Sequence, residues 1–144
     1  ARDDVQAVVH THQPTATLMG VMGADILPVL HVPAGQLGPR SIPIWPCPLL
    51  VTSRERGRAL VEALGDGNVG HLQGHGIVSL AHDVETATIQ ALMLEQLAAA
   101  NLEILQAGRQ PRVIPGDEIA ELRREMGSVD GRWAYYLQLI QEQP

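Results

Sequence analysis

Short apolar runs alternate with stretches of helical periodicity along this chain, and the two patterns predict a domain of mixed class. Residues 5–10 form a valine-rich run between Asp3-Asp4 and Pro14, which predicts a strand that ends on His10. Pro14 opens a predicted helix that stops at Gly20 or Gly23. Residues 25–32 are apolar again and predict a second strand. Five prolines and two glycines fall between Pro33 and Pro48; proline cannot donate to a ladder, so this segment is expected to be a loop with an edge strand at 42–45. Thr52-Ser53-Arg54-Glu55 has the form of a capping box with Thr52 as the cap, opening a helix that runs to Leu64 before Gly65. Two strand signals follow, at 69–72 and 77–80. Asp83 then caps the longest helix, where Val84, Ala87, Ala91, Leu94, Ala98, Leu102 and Leu105 recur at helical spacing down to Gly108. A charged helix at 117–126 and a last helix at 128–141, with Trp133, Tyr136, Leu137 and Ile140 on one face, complete the prediction.

The connections are short and several strands lie close in sequence. An α/β domain with a mixed or antiparallel sheet and helices on its faces is therefore expected, in preference to a doubly wound parallel sheet. At 144 residues one domain accounts for the whole chain. There is no Phe, so the core must rest on aliphatic side chains and Met. The net charge of −6, with the ten basic residues scattered and all of them Arg, gives no footprint for a phosphate backbone and excludes nucleic acid as the expected partner. A lone cysteine, Cys47, cannot form an internal disulfide; it reads as a small buried residue in a reducing compartment. No apolar run is long enough to span a membrane and no signal peptide opens the chain, so no membrane partner and a cytoplasmic location are expected.

The candidate chemistry lies in His10-Thr11-His12 and Gln73-Gly74-His75-Gly76. Side chains two apart on a strand leave the same face, so His10 and His12 can close on one cation, and His75 would complete the set. Three neutral nitrogens at ~2.0–2.1 Å, with a position left for water or substrate, are the usual arrangement of a catalytic divalent metal. The spacing alone leaves a chance grouping of surface or core histidines open.

Residues 4–12, 72–77 and Leu94-Glu95-Gln96-Leu97-Ala98 resemble the class II aldolase and adducin family. The segments at 26–31 and 42–43 fall in the same order, and the likeness covers residues 3–107. The resemblance implies an α/β/α layered fold around a mostly antiparallel sheet. It also implies that His10, His12 and His75 hold a divalent ion, usually zinc, to which a small-molecule substrate chelates through adjacent oxygens. Imidazole equally accepts manganese, iron or cobalt. The resemblance further implies a homotetramer, the usual assembly of family members, with the site between neighbouring subunits.

The implied activity is that of a metal-dependent carbon–carbon lyase, cleaving a small hydroxy or oxo acid by decarboxylation or retro-aldol reaction through a metal-stabilised enolate. Two departures qualify it. Family members carry, before the His-x-His strand, phosphate-binding turns and a glutamate general base that do not occur here, so the chain is expected to be the later part of a domain. It would then associate with the missing portion as one piece of a split or processed enzyme. Where some family aldolases place a proton-donating tyrosine, after the histidine at 31, this chain has Val32, which favours a decarboxylase or an aldolase acting on a less polar substrate. A non-catalytic scaffold like the adducin head is the alternative, and the intact histidines count against it.

His31 is the candidate auxiliary acid or base, because histidine is the side chain suited to proton transfer near working pH. Glu95 is a candidate to orient a metal-bound histidine, Arg40 to bind a substrate carboxylate, and the aromatics Trp133, Tyr135 and Tyr136 to close an apolar pocket. His71 and His82 are expected to be structural or solvent-facing, and the glycines at 35 and 38 lack the strand and helix that a phosphate loop needs.

Overall fold

A computed structural model describes residues 2–142. In chain order its elements are β1 (Ala7–Thr11), α1 (Pro14–Met22), α2 (His31–Leu37), β2 (Ile44–Trp45), α3 (Arg54–Leu64), β3 (Val69–Leu72), β4 (Gly76–Ala81), α4 (Val84–Gln106), α5 (Gly116–Met126) and α6 (Asp130–Gln141). The sheet has the order β1-β4-β3-β2. β4 pairs antiparallel with both β1 and β3, and only the two-residue β2 runs parallel to its neighbour. The mostly antiparallel α/β architecture expected from the sequence is what the chain adopts.

Alternation of side chains sorts the sheet into two covered faces. On one, Val69 and Ile77 pack with Ala16 and Met19 of α1 and with Ala91, Leu94, Leu97 and Ala98 of α4. On the other, Leu72, Val78 and Leu80 pack with Trp45 and with Leu64 of α3, and Gly70 lets Leu64 lie directly on the strand. The second cover stops short of the β1 edge, where Val8 stays 62% exposed. His10 and His12 belong to that uncovered side.

α4 is the central beam of the fold. The Asp83 carboxylate accepts from the Thr86 N–H at 2.6 Å, a cap worth about 1 kcal/mol. Ile89, Leu94 and Leu97 are fully buried, at about 1.5–3 kcal/mol each, so packing rather than capping holds the helix. Its buried Asn101 accepts from Leu27 N–H and donates to the Leu27 and Leu97 carbonyls.

That last contact explains a difference from expectation. Residues 25–30 form neither strand nor helix: Leu27 bonds to a side chain, while the Ile26 and Pro28 carbonyls accept from Ile42 and Ile114 in other loops. The expected loop from residue 33 likewise contains most of α2, because Pro33 occupies the third helical position, where a missing N–H costs nothing. Ser53, not Thr52, caps α3, accepting from the Arg56 N–H at 3.2 Å. On α6 the predicted face is only half realised: Trp133 and Tyr136 are half-buried, but Ile140 is 70% exposed. Among the described residues no helix is long and apolar enough to cross a membrane.

Candidate metal centre

The β1–β4 register sets the site. His10 lies opposite Val78 and Thr11 opposite Ile77, so His12 emerges just past the end of the ladder, beside the turn that joins β3 to β4. That turn carries His75, whose N–H donates to the Leu72 carbonyl at 2.9 Å, and Gly74 takes a positive φ of 67° to close it. The three rings meet with centroids 4.9 Å apart in every pair. One ring nitrogen from each lies within 4.8 Å of the others.

The donor chemistry suits a cation. The Ile77 carbonyl lies 2.7 Å from His10 Nδ1; a carbonyl can only accept, so Nδ1 carries the proton and Nε2 presents its lone pair. That nitrogen lies 3.1 Å from His12 Nε2. Two nitrogens bound tetrahedrally at ~2.05 Å would stand about 3.3 Å apart, so the pair needs little adjustment to share an ion. His75 Nδ1 is buried with no hydrogen-bond partner, a cost that a bound ion or a hydrogen-bonding group beside the ring would relieve. The His75 pKa is pushed down by burial first and then by the neighbouring His10 and His12 rings, which favours the neutral imidazole that a ligand must be.

Close approach of the strands depends on Gly76. A Cβ there would stand 2.5 Å from the Thr11 carbonyl oxygen, 2.9 Å from His12 Cδ2 and 3.3 Å from His10 Cε1. The residue sits inside the quoted motif, yet its role appears only once the β1–β4 register is known.

The other candidates lie apart from this group. His31 does not end a strand; it is the first residue of α2, exposed, in a groove with Glu118, Glu121 and Glu125 of α5. Glu95 does not approach a histidine nitrogen: its two oxygens accept from the Thr15 and Ala16 N–H groups, each at 2.8 Å. Arg40 pairs with Asp66 at 2.6 Å on the surface. Trp133 lines a different cleft, near Asp83 and Val129, and Tyr136 accepts from Gln96 at 3.4 Å. His71 is buried, and His82 is exposed beside the α4 cap. Cys47 is half-buried against the Trp45 cluster, and the glycines at 35 and 38 belong to α2 and its end, with Gly35 packed on Met126 of α5.

Comparison with known proteins agrees with this architecture. Residues 1–102 match the class II aldolase and adducin N-terminal domain family. A 3,4-dihydroxyphthalate decarboxylase of Arthrobacter keyseri is 33% identical over 137 residues, covering 93% of this chain and 55% of that protein. L-fuculose phosphate aldolase of Escherichia coli is 31% identical over 120 residues, 83% of this chain and 55% of the enzyme. A solved L-fuculose 1-phosphate aldolase has the same fold, with a TM-score of 0.77 over 89% of this chain and 58% of that one, at 19% identity. The chain thus spans about half the length of the curated relatives it matches. On the strength of these matches, this chain belongs to the class II aldolase and adducin family.

Proposed function

We propose that the protein is a divalent-metal-dependent carbon–carbon lyase, with zinc at His10, His12 and His75, and that its reaction is the decarboxylation of a small hydroxylated acid. The observation that carries this reading is the convergence of three imidazoles on one point. His10, His12 and His75 would hold a divalent ion there, and such an ion would supply Lewis acidity towards substrate oxygens. Neutral ligands leave the ion's full charge available for that task, which carboxylates would not. The Ile77 carbonyl holds the His10 ring in its tautomer and raises the basicity of Nε2. The site opens on the uncovered side of the sheet, where a substrate with adjacent oxygens can reach it.

Decarboxylation is favoured over aldol cleavage because Val32 brings no acidic proton after His31, and because the Arthrobacter keyseri decarboxylase matches 93% of this chain against 83% for the Escherichia coli fuculose phosphate aldolase. His31 sits in a groove of its own, so its role as auxiliary acid requires the tetramer, in which a neighbouring subunit closes on the site. The test supplies the zinc-loaded protein with 3,4-dihydroxyphthalate and, separately, with L-fuculose 1-phosphate. Release of carbon dioxide from the first, lost on chelation and restored by zinc, is expected. Equal turnover by the chelated protein would overturn the proposal, and cleavage of the sugar phosphate alone would replace the decarboxylase with an aldolase.

A further inference from the structure

We infer that Glu95 is a positioning residue for the metal centre: its carboxylate, with the amide of Gln13, clamps the backbone that carries His12 to α4. The inference rests on the metal reading above and concerns how one ligand of that site is held.

His12 is the ligand least fixed by its own surroundings. His10 stands within the β1–β4 ladder and bonds to the Ile77 carbonyl. His75 is held in a tight turn by its own N–H. His12 lies beyond the last paired residue, Thr11, and within the described residues its ring makes one hydrogen-bond contact, to His10. Its position is therefore set by the backbone on either side.

On the far side that backbone is the N-terminus of α1, which is capped from outside the helix. Gln13 occupies the cap position and makes no side-chain cap of its own. Its amide instead donates to the Ala91 carbonyl of α4 at 2.8 Å. Pro14 has no N–H to satisfy. The next two donors, Thr15 and Ala16, are taken one each by the two oxygens of Glu95, one turn further along α4. Thr17 begins the regular ladder by donating to the Gln13 carbonyl. Every free N–H of the first turn is thus accounted for, and a carboxylate at this end is favoured by the helix dipole. The consequence for the site is that residues 13, 15 and 16 are bound to the most deeply packed helix of the fold. His12 is suspended between this anchor and the last rung of the β1–β4 ladder.

Asn101 provides the control. It lies on the same helix and also uses its side chain to hold a loop backbone, but the residue it holds is Leu27. A merely structural role for Glu95 predicts that the two behave alike. The experiment is a cobalt(II) titration of the full chain, read by affinity and by the visible d–d spectrum, for wild type, Glu95→Ala, Glu95→Gln, Gln13→Ala and Asn101→Ala. Glu95→Ala should weaken cobalt binding by about 10-fold or more and alter the spectrum, the range seen when groups supporting metal ligands are removed. Glu95→Gln keeps one acceptor and should recover part of the loss. Gln13→Ala leaves α4 untouched and should show a smaller weakening in the same direction, which serves if Glu95→Ala fails to fold. Asn101→Ala should lower the melting temperature without moving the affinity. Wild-type affinity in Glu95→Ala and Gln13→Ala, or an equal loss in Asn101→Ala, would overturn the clamp while leaving the metal site intact. Failure of the wild type to bind cobalt would overturn the metal reading and the clamp's purpose with it.

Discussion

His71 and His75 lie four residues apart on one hairpin and have opposite surroundings. His71 is only 1% exposed, with neither ring nitrogen hydrogen-bonded, and burial alone lowers its pKa. His75 is half-buried, and two other imidazoles add to the effect of burial. One glycine makes room for His71, and another makes room for the residues that face His75. A Cβ on Gly20 would stand 2.8 Å from His71 Nδ1, and one on Gly76 would meet the Thr11 carbonyl and the His10 and His12 rings. The difference teaches that a depressed histidine pKa does not mark a site in this fold; convergence of donors from separate strands does.

Three perturbations set these neighbours against each other. The largest effect should come from His75→Ala, which removes one of three ligands: zinc binding and turnover should both disappear while the melting temperature changes little. Retained stoichiometric zinc in that variant would break the distinction. Gly76→Ala should come next. The new methyl group meets a backbone oxygen rather than a flexible side chain, so β1 and β4 must part, at a cost of about 1–3 kcal/mol in urea unfolding together with weakened metal binding. An unchanged midpoint would mean that the strands are looser than the register implies.

The smallest effect belongs to His71 and is seen through pH. Its folded pKa lies below the ordinary 6.5 because burial disfavours the charged ring. The unfolded chain therefore takes up a proton that the folded chain refuses. Stability from the neutral ring is fully present above 6.5 and is lost as the pH falls from there towards the folded pKa, by at most about 1.4 kcal/mol per pH unit. His71→Leu should remove that acid limb and, by deleting two unpaired polar atoms, leave stability at neutral pH within about 1 kcal/mol of wild type or above it. A loss of zinc binding on this substitution would show that His71 is not merely structural.

Much of this was legible in the residues because the signals were local. The valine-rich run of β1, the two strand signals on either side of His75 and the capped stripe of α4 each depend on neighbours in sequence, and the structure has all three. The stretch at 25–32 misled because an apolar run reads as a strand whether its backbone bonds to a sheet or, as here, to Asn101 and two loops. α2 was hidden because prolines within residues 33–48 read as loop, although a proline in a first turn is harmless. At the site, the candidate ligands could be named from the His-x-His spacing and the family likeness. The use of Glu95 could not: its partners are N–H groups about 80 residues away, which carry no side-chain signature.

The most direct measurement is X-ray absorption on the zinc-loaded protein. One zinc per chain is predicted, with three imidazole ligands at about 2.0–2.1 Å and lighter scatterers completing the shell. A zinc shell lacking the imidazole multiple-scattering pattern, or no stoichiometric zinc at all, would contradict the shared cation on which the proposed chemistry depends.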